Sequence, residues 1–304
     1  MLRQDLARYM DLQRCLGFKF RLQHILLRGF VAFADKHGDR HVRSARVLDW
    51  AAQAPSPEQR RNRLLTVRRF ALAAHAENAR HQIPAADALG NAFIKRHPPY
   101  IYKAKEIVRL IRAAAALEPA DSMKPLIYAT LLGLLAATGM RISEALALRL
   151  GDVSADGLLV RESKFKKSRL LPLHATTRQA LDTYLVEREK LVTTESALFV
   201  SSAGGPLSYY TVRGVFLRLL ARTGLEGVSH RGNPRIHDLR HTFAVRSLEQ
   251  CPHDRDAVAR HILALSTYLG HAHVTDTYWY LQATPVLMAQ IANAGEALLV
   301  GGAA

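Results

Sequence analysis

Apolar positions in the first hundred residues recur at helical spacing. Leu2, Leu6, Tyr9 and Met10 share one face of a helix that Gly17 breaks. Leu22, Ile25, Leu26, Phe30 and Phe33 continue the period and stop before Gly38. Val47, Leu48, Trp50 and Ala51 make a third helix, ended by Pro55. In the stretch SPEQRRNRLLTVRRFALAAHA, Ser56 suits an N-cap and Pro57 the first helical position. Leu64, Val67 and Phe70 then form the apolar stripe of a fourth helix. The pattern predicts an all-helical domain over 1–96. Two adjacent prolines in His97-Pro98-Pro99-Tyr100 cannot continue a helix, so 97–102 reads as a linker.

The pattern changes over 103–304. Lys105 to Ala116 and Pro125 to Thr138 read as helices, Gly139 ends the second, and RISEALALRL starts another. Leu126 to Met140 is the longest apolar run. It is too short for a bilayer, which needs about 20 residues, and reads as a buried core helix. Leu158 to Arg161 and Leu170 to Leu173 are short apolar strands on either side of the polar tip SKFKKS, with an Asp156-Gly157 turn before them. From Thr176 the pattern is helical again. The expected fold class is therefore mainly α with a small antiparallel β-sheet: a helical N-terminal domain followed by an α+β domain.

Charge narrows the choice of partner. The 304 residues carry a net charge of +16 with a pI near 10.2, which calls for a polyanion, and nucleic acid is the commonest. More than half of that excess lies within 1–96, where Arg60, Arg61, Arg63, Arg68 and Arg69 crowd one helix. A solvated basic face would look the same locally; the excess over the whole segment favours a DNA-gripping module. No lipidation motif or basic amphipathic tail points to a membrane. The N-terminus lacks the apolar core of a secretory signal. Two distant cysteines, Cys15 and Cys251, suit a reducing cytoplasm and give no metal spacing.

Walker, dinucleotide-binding and nucleophile-elbow patterns are absent. What stands out is HDLRH, residues 237–241. Two histidines four apart could share a zinc ion, with His271 or His273 as a third ligand. They could also be hydrogen-bonded core residues. The metal reading is the weakest, because Arg240 would bring positive charge to the ion. A phosphate explains more: His237 and Arg240 share a helical face, and arginine forks bind non-bridging oxygens bidentately while histidine donates or shuttles a proton. Arg141, just after Gly139, starts a helix where backbone N–H groups also favour anions.

Several of these stretches, in this order, resemble the tyrosine recombinases (phage integrases and Xer-type enzymes). ATGMRISEALALRLGDV resembles their first arginine box, with Arg141 and its acidic neighbour Glu144. ESKFKKSRLLPL resembles the hairpin that carries a catalytic lysine, and its register favours Lys164 over Lys166 or Lys167. HDLRHTFAV gives His237 and Arg240; LGHAHVTDTYWYLQ gives His271 and, nine residues on, the nucleophile Tyr280. Tyr278 competes, but on a helix the two tyrosines point roughly 200° apart, so only one can face the phosphate. The segment SLEQCPHDRDAVARHILALSTY is longer than in compact members. DLQRCLGFKFRLQHILLRGFVAFAD resembles the helical, SAM-like core-binding domain of these enzymes.

The resemblance implies a C-shaped clamp on double-stranded DNA and a 3′-phosphotyrosine intermediate. It implies no metal, no ATP and no other cofactor. It also implies a dimer on one site and a homotetramer on two, acting in the cytoplasm on the nucleoid. The job would be integration or transposition of a mobile element; a catalytically idle DNA-binding protein is the alternative. LMAQIANAGEALLV, near the end of the chain, would be a helix docked on a neighbour or on its own core.

Overall fold

The structure is a computed structural model that describes residues 1–281 except 19, 91–98, 162–167, 192, 229–231, 251–254 and 272. The chain divides into two compact units, Met1–His97 and Pro98–Ala304.

The first unit is built from α1 (Leu2–Cys15), α2 (Arg21–Lys36), α3 (Ser44–Ala52) and α4 (Pro57–Glu77). Helix α4 starts as its sequence dictates: Pro57 sits in the first turn and the Ser56 hydroxyl accepts the Gln59 N–H at 3.2 Å. Its buried Leu64, Val67 and Phe70 meet Leu2, Leu6 and Met10 of α1 and Trp50 of α3 in one core. The face of α2 differs from the expected one. Leu22 and Ile25 are 59% and 67% exposed, whereas Leu27, Phe30, Val31 and Ala34 are buried. Two apolar stripes overlap on this helix, and packing against α1, α3 and α4 selects the second.

The second unit begins earlier than expected. Of the stretch 97–102 read as linker, the described residues 99–102 belong to this unit. Tyr102 is fully buried, its N–H donates to the Thr242 hydroxyl at 2.9 Å, and its carbonyl accepts from Arg246 at 2.7 Å. Helices α5 (Ala104–Ala115) and α6 (Lys124–Thr138) follow, and α6 is the buried helix foreseen from its apolar run. Helix α7 (Ile142–Ala145) lasts one turn, shorter than RISEALALRL suggested. The chain leaves the helix because Leu148 and Leu150 pair with the segment near 197: Leu198 N donates to Leu148 O, and Leu150 N to Ser196 O.

A three-stranded antiparallel sheet comes next, in the order β1 (Val153–Ser154), β2 (Gly157–Val160), β3 (Arg169–Leu171). Leu158 faces Leu171 and Val160 faces Arg169. Gly157 must be glycine: φ is +135°, and a Cβ would lie 2.1 Å from the Leu171 carbonyl oxygen. The unit continues with α8 (Ala175–Glu189), α9 (Tyr209–Arg222), α10 (Ile236–Glu249), α11 (Arg255–Leu269) and α12 (Thr275–Leu281). Its main core joins α5, α6, α8, α9 and the sheet; a smaller cluster of Ala244, Val245, Leu248, Leu265, Leu269 and Tyr280 ties α10, α11 and α12 together. Among the described residues, no helix is long and apolar enough to cross a membrane.

Candidate active site

Two helix C-termini converge on the start of α10. Helix α6 ends at Gly139 (φ +59°) and α11 at Gly270 (φ +68°); both take the left-handed conformation that closes a helix and turns its last carbonyls outward. Those carbonyls carry the negative end of each helix dipole and attract guanidinium groups. Buried Arg240 donates Nη1 to Gly139 O and Nη2 to Leu269 O, both at 2.8 Å. Gly139 is also wedged, since a Cβ there would lie 2.5 Å from Phe243.

Arg141 reaches the same place from the start of α7. Its Nη2 lies 3.4 Å from Gly270 O, and its Nη1 donates to Glu144 at 2.8 Å. The buried Glu144 carboxylate also accepts the Arg141 backbone N–H at 2.9 Å, capping α7. Burial pushes the Glu144 carboxyl up, but hydrogen bonds from Arg169 and Arg141 outweigh it and hold the group below its ordinary value.

Helix α12 brings the tyrosine. Tyr280 is 3% exposed, its ring 5.4 Å from that of His241 and stacked 6.0 Å from that of His271. Burial raises its phenol pKa; the Arg240 and Arg141 guanidiniums, one of them hydrogen-bonded to it, pull the other way. His271 is set by the turn after Gly270, where its Nδ1 lies 2.8 Å from the hydroxyl of fully buried Thr277. Burial, then Arg240 and Arg141, push His271 down to about 4.

His237 lies one turn before His241 on α10, the two rings edge-on at 4.6 Å. Desolvation, then the Arg240 and Arg235 guanidiniums, push His237 down to about 4; its edge stays open to solvent, which weakens the first of these causes. That edge faces a cavity of about 900 Å³ lined by Tyr209, Arg213, Gly232 and Arg235. His241 is buried and pushed down to about 3 by desolvation, then by His237 and Arg235. Both imidazoles are therefore neutral at pH 7.

Five of the expected groups thus gather at one place: Arg141, His237, Arg240, His271 and Tyr280. Lys164 lies outside the described residues, between β2 and β3, and so does the segment LMAQIANAGEALLV. The acid inside HDLRH has another task. Asp238 is spent on the cap of α10, accepting the Arg235 backbone N–H and its guanidinium at 2.8 Å each. Among the described residues no three His, Cys, Asp or Glu side chains are placed to hold a metal ion.

The arginines of α4 divide. Arg60 donates to Ala54 O at 2.8 Å; Arg63 donates to Trp50 O at 3.1 Å with its guanidinium 4.8 Å from the Trp50 ring centroid. These two brace the corner between α3 and α4. Arg61 and Arg68 are both half-buried and Arg69 is exposed. Two site residues went unread in the sequence. Thr277 gave no signal. Arg169 stands within SRLLPL, where no spacing marks it as part of the site.

Residues 101–285 match the phage integrase family. A putative integrase/recombinase of Sinorhizobium fredii, y4rB, is 38% identical over 297 residues, covering 94% of each chain. Tyrosine recombinase XerD of Caulobacter vibrioides is 30% identical over 92% of this chain and 86% of its own. Among solved structures, XerH recombinase bound to a palindromic difH substrate in a post-cleavage complex aligns with a TM-score of 0.67 at 19% identity, over 90% of this chain and 78% of that one. A lambda integrase dimer bound to a core site aligns at 0.64 and 20% identity, over 93% and 96%. These two share the fold. The convergence of arginines, histidines and a tyrosine on one pocket, carried by that fold and by a sequence match spanning most of the chain, makes this protein a member of the phage integrase family, a tyrosine-type site-specific recombinase.

Proposed function

We propose that Tyr280 attacks a phosphodiester of double-stranded DNA at the pocket formed by Arg141, Arg240 and His271. The phenol oxygen forms a 3′-phosphotyrosine bond and the bond to the 5′ oxygen breaks. The free 5′-hydroxyl of a partner strand then attacks phosphorus and releases the tyrosine. The ester energy is kept in the aryl phosphate, so the exchange needs no ATP. Arg141 and Arg240 offset the charge that grows on the non-bridging oxygens, and His271 donates a hydrogen bond to one of them. His237, held neutral, takes the phenol proton, and Lys164, between β2 and β3 in sequence, protonates the leaving 5′ oxygen.

The observation that carries this reading is the position of Tyr280. It lies against His241 and His271 of its own chain, close enough to Arg240 and Arg141 for both to perturb its phenol. This supports delivery of the nucleophile in cis. Residues 1–96 would supply much of the non-specific grip and 103–304 the chemistry. Two protomers would share a site and four a pair of sites; a lambda integrase tetramer bound to a Holliday junction is among the solved structures similar to this chain. Integration or transposition of a mobile element, inside the cytoplasm, is the biological role that the integrase relatives favour.

The test is adduct formation on nicked duplexes, recovered by binding selection from a random-sequence library, in excess EDTA. An SDS-resistant protein–DNA band is expected from the wild type and Tyr278→Phe but not from Tyr280→Phe. Tight binding without an adduct in the wild type would favour an idle DNA-binding protein instead.

A further inference from the structure

We propose that Arg169 is a positioning residue for strand cleavage: by sharing Glu144 it limits that carboxylate to one terminal nitrogen of Arg141 and keeps it from taking the Arg141 guanidinium in two-point fashion, away from a phosphate. The inference rests on the recombinase reading above and adds to it a residue outside the set of six.

Arg169 stands at the start of β3, directly after the SKFKKS stretch in sequence, yet its side chain is only 9% exposed. It runs into the protein and makes three bonds there. Nη2 donates to Glu144 Oε2 at 2.9 Å, Nη1 to Glu144 Oε1 at 3.2 Å, and Nε to Tyr268 O at 2.7 Å. One planar group therefore joins the start of β3 to the segments that carry Arg141 and His271. A lysine could not do this, because a single ammonium cannot present a fork to a carboxylate while bonding a carbonyl on another side. The packing is close: a Cβ on Gly270 would lie 2.7 Å from Arg169 Nη1.

The consequence lies in how the carboxylate oxygens are shared. Glu144 Oε1 accepts from both Arg141 Nη1 and Arg169 Nη1; Oε2 accepts from the Arg141 backbone and Arg169 Nη2. With Arg169 in place, Glu144 holds Arg141 by one terminal nitrogen. Without it, a buried carboxylate has one guanidinium left as partner and takes it in two-point fashion, in direct competition with a DNA phosphate. A misplaced binding group of this kind costs on the order of 100-fold in rate.

Arg169→Met should lower single-turnover adduct formation on nicked DNA by about 100-fold, while the Kd for the same intact duplex changes less than about threefold. Arg169→Lys should recover only part of the rate. The decisive arm is Arg169→Met combined with Glu144→Gln. If Arg169 works by engaging the Glu144 charge, removing that charge restores a tenfold or larger part of the lost rate, although neither variant regains thermal stability. A double variant no faster than Arg169→Met overturns the proposal, as does an Arg169→Met enzyme cleaving at the wild-type rate. A wild type that forms no adduct overturns the recombinase reading, and this inference falls with it.

Discussion

The Nδ1 atom of His271 and the hydroxyl oxygen of Thr277 lie 2.8 Å apart, joining the turn after α11 to the helix that carries Tyr280. Since His271 is pushed down to about 4, it is neutral at pH 7 and has a single N–H. Which nitrogen carries that proton depends on its neighbour. If the Thr277 hydroxyl donates to Nδ1, then Nε2–H is left to donate to a phosphate oxygen. Thr277→Val keeps the volume but removes the donor, so cleavage should fall roughly tenfold, the scale of one hydrogen bond. Thr277→Ser should stay within a few-fold of the wild type. Single-turnover rates on nicked DNA check both; equal rates for Val and Thr would remove the tautomer argument.

The histidines of the site also set a pH dependence. His241 and His271 fall to about 3 and about 4 in the folded chain, against an ordinary value near 6.5 when unfolded. The folded protein therefore binds fewer protons than the unfolded chain between those limits. Stability is complete above about pH 6.5 and is lost as the pH falls toward the folded values. For buried His241 the loss between pH 6.5 and 4.5 is on the order of 2 kcal/mol. Urea unfolding at a series of pH values should show the decline in the wild type and a flatter profile in His241→Gln. Cleavage should show no histidine inflection near pH 6.5, because these rings are already neutral there. An inflection at that pH would mean that one of them sits in a far wetter setting.

Helical spacing and turn residues made much of the fold legible from the amino acids alone. Ser56-Pro57 announced α4, and Gly139 closed α6 where expected. The order of short motifs around Arg141, His237, Arg240, His271 and Tyr280 located the pocket, because those groups sit at helix ends whose punctuation is local. What the sequence hid is non-local. The exposed Leu22 and Ile25 share a helix with buried Leu27 and Val31, and only the packing of α2 on three neighbours distinguishes the two stripes. Helix α7 stops after one turn because Leu148 pairs with Leu198, fifty residues on. Arg169 and Thr277 act through partners 25 and 6 residues away, across chain turns that no periodicity describes.

The same contrast separates the arginines of α4, which a composition argument treats alike. Arg63 donates to Trp50 O and lies over the indole, so Arg63→Ala should cost about 1–2 kcal/mol of stability to the first unit. Little change is expected in how its DNA affinity responds to salt. Arg69 is exposed and Arg61 half-buried on the same helix, both still open to phosphates. Losing a phosphate contact reduces the slope of log K against log salt by about 0.9, so Arg61→Ala with Arg69→Ala should flatten it by nearly two while the melting temperature holds. Affinity should drop by a similar factor on every duplex, because such contacts carry no sequence information. Titrations with an arbitrary duplex at four or five salt concentrations, beside thermal melts, separate the two roles. An unchanged slope in the Arg61/Arg69 double variant would move the DNA grip away from α4 altogether, to the other basic residues of 1–96 or to the second unit.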